Sequence, residues 1–125
     1  MPEYDHKHFD PPAPVAQVTL RHPATGAALS NVFMLLDTGA DVTFLPREAV
    51  EQLGIEPVKD KVYEVEGFGG ETKFVEVAQL ELSFLGKKFK GQFLLADEPI
   101  GILGRNILNS VRLLLDGLHE HWDEA

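Results

Sequence analysis

The chain has 125 residues, 44% of them hydrophobic and 25% charged, a balance that fits one globular domain with its own core and is too short for a two-lobed enzyme. Acidic residues outnumber basic ones by 20 to 11, and the resulting charge of −9 argues against a nucleic-acid partner, since phosphate binding rests on Lys and Arg. With no cysteine, disulfides and thiol nucleophiles are excluded, and no run of about 18 apolar residues is available for a membrane-spanning helix, so the expected setting is cytoplasmic with no membrane partner.

In chain order, residues 1–14 carry four of the eight prolines and few apolar side chains, the composition of a flexible Pro-rich arm. The folded domain is expected over residues 15–117, followed by an acidic tail, 118–125. Val15 to Arg21 and the segment resuming at Ala27 flank the turn residues Pro23-Ala24-Thr25-Gly26 and read as a hairpin. Val32-Phe33-Met34-Leu35-Leu36 is a continuous apolar run, the pattern of a strand buried on both faces, and it ends abruptly at Asp37-Thr38-Gly39. A carboxylate therefore terminates a core strand. Asp41 to Leu45 reads as extended, and Pro46 suits the start of a short helix from Arg47 to Leu53, capped by Gly54.

Val62 to Val65 and Phe74 to Val77 flank the glycine-rich tip Gly67-Phe68-Gly69-Gly70. Leu80, Leu82 and Phe84 alternate with Gln79, Glu81 and Ser83 as in a half-buried strand, and Gly86-Lys87-Lys88 is expected to turn it toward Phe89 to Leu95. A short helix near Asn106 to Ser110 and an apolar strand, Val111 to Leu115, close the domain. Short strands separated by regular turn signals, with little helix, indicate an all-β, mainly antiparallel small barrel.

Asp-Thr-Gly alone is also an ordinary turn, but here three motifs occur in order: Leu35-Leu36-Asp37-Thr38-Gly39-Ala40-Asp41, the tip Gly67-Phe68-Gly69-Gly70, and Ile102-Leu103-Gly104-Arg105-Asn106. Together they resemble the retropepsin-like aspartic proteases, the clan of retroviral proteases. The resemblance covers roughly Val15 to Gly117 and implies a half-barrel that works as a homodimer on polypeptide substrates, with no cofactor and no metal. It makes Asp37 the catalytic acid. Thr38, Gly39 and Arg105 become supports of the site: the Thr38 hydroxyl bonds across the dimer axis, and Arg105 pairs with Asp41. Gly39, Asp41, Gly67, Phe68, Gly69, Ile100 and Ile102 become substrate contacts, Gly67 to Gly69 as the tip of a flap. Val42 departs from the retroviral pattern, which often has a second Asp there.

The chemistry explains the requirement for two chains. Hydrolysis of a peptide bond without a metal or covalent nucleophile needs a base to activate water and an acid to protonate the departing groups, and two carboxylates sharing a proton supply both. This sequence has one Asp-Thr-Gly, so the second carboxylate comes from a two-fold copy. The apolar run Val111 to Leu115 needs covering, and chain ends interleaved with a partner would cover it.

Plainer readings stand beside these. His6 and His8, and His119 and His121 with Glu120 and Asp123, invite a metal assignment, but both groups lie in polar termini with no evident scaffold. Lys87, Lys88 and Lys90 read as solvated charges protecting an edge. Asp97-Glu98 points to basic residues at outer subsites. Two non-enzymatic functions compete: a dimeric peptide-binding domain that has lost turnover, and an oligomerisation module.

Overall fold

A computed structural model describes residues 2–67 and 69–125. Ten strands and two short helices follow one another as β1 (Tyr4–Asp5), β2 (Ala13–Arg21), β3 (Ala28–Leu36), β4 (Phe44–Pro46), α1 (Arg47–Gln52), β5 (Val62–Glu66), β6 (Thr72–Phe84), β7 (Lys87–Ala96), β8 (Gly101–Leu103), α2 (Arg105–Leu108), β9 (Leu113–Asp116) and β10 (His121–Glu124). The main sheet runs β1-β2-β3-β8-β4-β7-β6-β5, and a further pairing of β2 with β6 closes its middle into a barrel. The architecture is the mostly β one expected.

Closure explains the burial pattern. Leu20, Met34, Leu45, Leu82 and Leu103 are fully buried at its centre, each from a different strand. Glu81 alternates with Leu80 and Leu82 and was expected on the open face, yet it is buried, because β2 closes onto β6 there and sets Arg21 opposite Glu81. The Arg21 guanidinium lies 3.5 Å from the Glu81 carboxylate. Two strand pairs, β3 with β8 and β4 with β7, are parallel, which brings the ends of β3 and β8 to the same rim.

Strand β6 changes character along its length. From Thr72 to Glu76 it pairs only with β5 and is largely exposed, whereas from Val77 onward it is part of the barrel wall. The exposed half, with β5, forms a hairpin that stands off the body. At the other end of β6 the turn differs from expectation. Leu85 and Gly86, with φ of 51° and 75°, form the turn, and Lys87 and Lys88 already belong to β7. A two-residue hairpin loop that matches strand twist needs positive φ at both positions, and Phe84 pairing directly with Lys87 leaves only two residues for it.

The chain ends also depart from the expected arm and tail. Strand β10 folds back on β9 through the Gly117–Glu120 turn, and Trp122 is buried against Phe84, with its Nε1–H donating to the Val15 carbonyl at 3.0 Å. Residues of the arm meet this hairpin: the Tyr4 amide donates to the Glu120 carbonyl, and the Trp122 amide to that of Pro2. A large aromatic ring with one polar atom is a strong anchor when that atom is satisfied, and this one fastens both termini to the barrel. The last helix begins at Arg105 and the last apolar strand at Leu113, each shifted from its expected start. No described helix is long and apolar enough to cross a membrane.

Candidate active site

Asp37 follows the last residue of β3, at the rim where β8 also ends, and its amide donates to the Leu103 carbonyl at 3.1 Å. Beyond it the chain must leave the sheet. It does so in a tight loop: the Gly39 amide donates to Asp37 Oδ1 at 2.9 Å and the Ala40 amide to the Asp37 carbonyl at 3.2 Å. One carboxylate oxygen is thus held by the loop's own backbone, which leaves Oδ2 for outside partners. Asp37 is half-buried and Thr38 and Gly39 are exposed, so the loop lies open on one side.

The loop is braced from behind by the start of α2. The Arg105 amide donates to the Ala40 carbonyl at 2.8 Å and the Arg105 guanidinium to the Thr38 carbonyl at 2.7 Å. Gly104 packs so closely that a Cβ there would collide with the Val42 carbonyl and lie 3.0 Å from the Ala40 oxygen. No other residue fits without moving the loop. The buried Thr43 hydroxyl completes the brace, accepting from the Gly104 amide at 3.0 Å and donating to Asn106 Oδ1 at 2.7 Å.

Two features of this brace differ from the sequence reading. Arg105 does not pair with Asp41: no ion pair joins them among the described residues, and the guanidinium is committed to the Thr38 carbonyl instead. Asp41 is exposed. Thr43 was not singled out, although a hydroxyl inside the otherwise apolar run Val42 to Leu45 was a visible signal, because buried polar groups need partners.

A cleft of about 560 Å³ runs beneath the β5–β6 hairpin. Gly67 and Ile102, both expected substrate contacts, line it, together with Phe44, Phe74, Leu95 and Arg47. Ile100 faces a second cavity of about 320 Å³ with Phe9, Leu35 and Ile102, so Ile102 forms a wall common to both. Gly69 is exposed at the hairpin tip, and Phe68 lies outside the described residues. Arg47 went unnoticed in the sequence. It spans the cleft wall, donating from Nε to Asp97 at 2.7 Å and from an η nitrogen to Glu76 at 2.8 Å. The Asp97 bond first, and Glu76 after it, hold the guanidinium pKa above its ordinary value. Asp97 is therefore partly neutralised by the protein itself, which weakens the case for a free acidic subsite there.

A closed barrel with an Asp-Thr-Gly loop at one rim and a cleft beneath a projecting β-hairpin is the architecture of an aspartic-protease subunit. The chain belongs to the retroviral aspartyl protease family, whose profile matches residues 12–116. Among solved structures, the EIAV protease complexed with the inhibitor HBY-793 is similar, with a TM-score of 0.58 and 27% identity over 85% of this chain and 91% of that one.

Proposed function

We propose that this chain is one subunit of a homodimeric aspartic endopeptidase that hydrolyses extended polypeptides through an Asp37 dyad formed on the two-fold axis. The observation that carries the reading is the Asp37 loop itself: a carboxylate oriented by the Gly39 amide, braced by Gly104 and Arg105, and open on one side. A second copy facing that side supplies the missing carboxylate.

Brought together, the two carboxylates cannot both ionise cheaply, so the pair loses its protons in two separated steps, as aspartic protease dyads do. Between those steps one carboxylate takes a proton from water as the water oxygen bonds to the carbonyl carbon and the other carboxylate protonates the carbonyl oxygen. The C–N bond then breaks as the first passes its proton to the leaving amine and the diol returns a proton to the second. Thr38, exposed beside Asp37, bonds to its symmetry mate and fixes the distance between the loops. Gly39 lets the substrate backbone approach. The substrate lies as an added strand between the Asp37 loop and the Gly67 to Gly69 flap, with alternate side chains entering the two cavities that share Ile102. Asp41 contributes at the edge of this path.

The second copy docks beside β9. Strand β9 pairs only with β10 among the described residues, and Leu114 and Leu115, on β9, are about half exposed (57% and 46%), with Leu118 nearby at 87%. Apolar side chains at an unpaired strand edge favour association. Because each chain pairs its own ends, the dimer forms without exchanging them.

Incubation with a library of unstructured peptides, followed by mass analysis of the products, tests the reading. The wild type is expected to cleave between apolar residues. Asp37→Asn is expected to fold and to dimerise, yet to lose at least about 10³-fold in kcat/KM. Equal turnover by both proteins would remove Asp37 from the mechanism.

A further inference from the structure

The histidines at the C-terminus lie in a polar segment, but the fold gives that segment a scaffold. Asp116 ends β9 and His121 begins β10, and the two face each other in the ladder. His119 lies in the turn between them. The turn folds the His119 ring over the ladder, so that it stacks on His121 with centroids 6.0 Å apart and planes 18° from parallel. One ligand-bearing atom from each of Asp116, His119 and His121 falls in a group whose members all lie within 4.8 Å of one another.

The carboxylate is oriented toward both rings. The His119 amide donates to Asp116 Oδ1 at 3.1 Å, which turns Oδ2 toward the imidazoles. His119 Nδ1 lies 2.8 Å from that oxygen and His121 Nε2 3.9 Å. A four-coordinate ion with bonds of about 2.0–2.2 Å needs ligand atoms about 3.3–3.5 Å apart. The two observed separations bracket that spacing and the group lies within 4.8 Å, so rotation of the near-parallel rings out of their stack would turn all three ligand atoms toward one ion. The backbone bond to Oδ1 is the kind of outer contact that fixes a ligating carboxylate.

We propose that Asp116, His119 and His121 form a divalent transition-metal site, with a fourth position left to water. Two imidazole nitrogens and one carboxylate oxygen are the donor set of zinc rather than of calcium or magnesium, which prefer all-oxygen shells. The competing account is a turn whose Asp caps the His119 amide and whose ring shares a proton with the carboxylate. The two accounts differ in one respect. Ligation needs the tautomer in which His119 Nδ1 offers a lone pair, whereas the capped turn needs Nδ1–H donating to Asp116. The ion would clamp the turn joining β9 to β10, and with it the strand that carries Leu114 and Leu115 toward the second subunit. The site does not depend on the peptidase reading.

Titration of tag-free full chain with zinc chloride by calorimetry tests it, with cobalt as a second probe for its visible absorption. The expected result is one ion per chain at micromolar affinity, a cobalt spectrum of tetrahedral intensity, and a higher Tm with zinc through mass action. His119→Gln and His121→Gln, checked for folding by Trp122 fluorescence, should each weaken binding at least about tenfold and abolish the Tm rise. His6→Gln should leave both unchanged. Zinc affinity that survives both hairpin substitutions, that is lost in His6→Gln, or that never reaches the micromolar range overturns the assignment.

Discussion

The Asp37 loop and the β5–β6 hairpin are held in opposite ways. The loop is fastened from behind by short bonds: Leu103 to the Asp37 amide, Arg105 to Thr38 and Ala40, and the buried Thr43 to both Gly104 and Asn106. The hairpin is held by its own ladder and by one partly exposed ion pair, Arg47 to Glu76, and Val62, Tyr63 and Phe74 on it are exposed. On the proposed function the difference has a chemical reason. A carboxylate must be held within a fraction of an ångström to share a proton with its mate, whereas a cover over the substrate must open to admit it. Buried, satisfied polar bonds serve the first need, and a strand pair with little apolar burial, drawn from the low-stability end of the fold, serves the second.

Substitutions on the two sides should separate accordingly. Thr43→Val keeps the shape but leaves the Gly104 amide and Asn106 without their partner, and is expected to cost about 1–3 kcal/mol of stability, measured by urea unfolding, along with a fall in kcat. A stable, fully active Thr43→Val would break the contrast at its rigid end. Phe74 is 72% exposed and lines the cleft, so Phe74→Ala should change stability by less than about 0.5 kcal/mol while raising KM several-fold for peptide substrates. A large loss of stability there would show that the hairpin is part of the core.

A smaller effect is expected at the N-terminus, away from both. The His8 amide, chiefly, holds the Asp5 carboxyl below its ordinary value of 3.8, against a contribution from burial that raises it and with further help from the His8 side chain. A carboxylate depressed in the folded state stabilises it above the unfolded pKa and ceases to do so as the pH falls through the folded one. Asp5→Asn should therefore be slightly less stable than the wild type at about pH 6, and the two should converge as the pH falls through the depressed folded-state pKa. A gap that is constant with pH would assign the effect to packing instead.

The central part of the molecule was legible in the sequence because it obeys local rules. The apolar run ending at Asp37, the turn glycines around Phe68, and the element from Ile102 to Asn106 each announce themselves by type and spacing, and together they identified the family. What escaped was the set of contacts between distant segments. Neither the tie from Thr43 to Asn106 nor the Arg47 bridge to Glu76 and Asp97 leaves a periodic signature, since each joins residues far apart in the chain. The termini were misread for the same reason: Pro-rich and acidic composition suggests solvated ends, and only the docking of Trp122 on Val15 and Phe84 reveals that they pair with each other. The pairing of Arg105 with Asp41, inferred by likeness, is replaced in this chain by a bond from Arg105 to the Thr38 carbonyl.

Mixing wild-type chain with Asp37→Asn chain in equal amounts, at constant total concentration and after subunit exchange, measures the shared site most directly. If each active dimer needs an intact Asp37 from both chains, about a quarter of the wild-type activity remains, because random pairing leaves that share of dimers with two aspartates. Activity that falls only to half, in proportion to the wild-type chain present, would mean that each chain carries a complete site of its own.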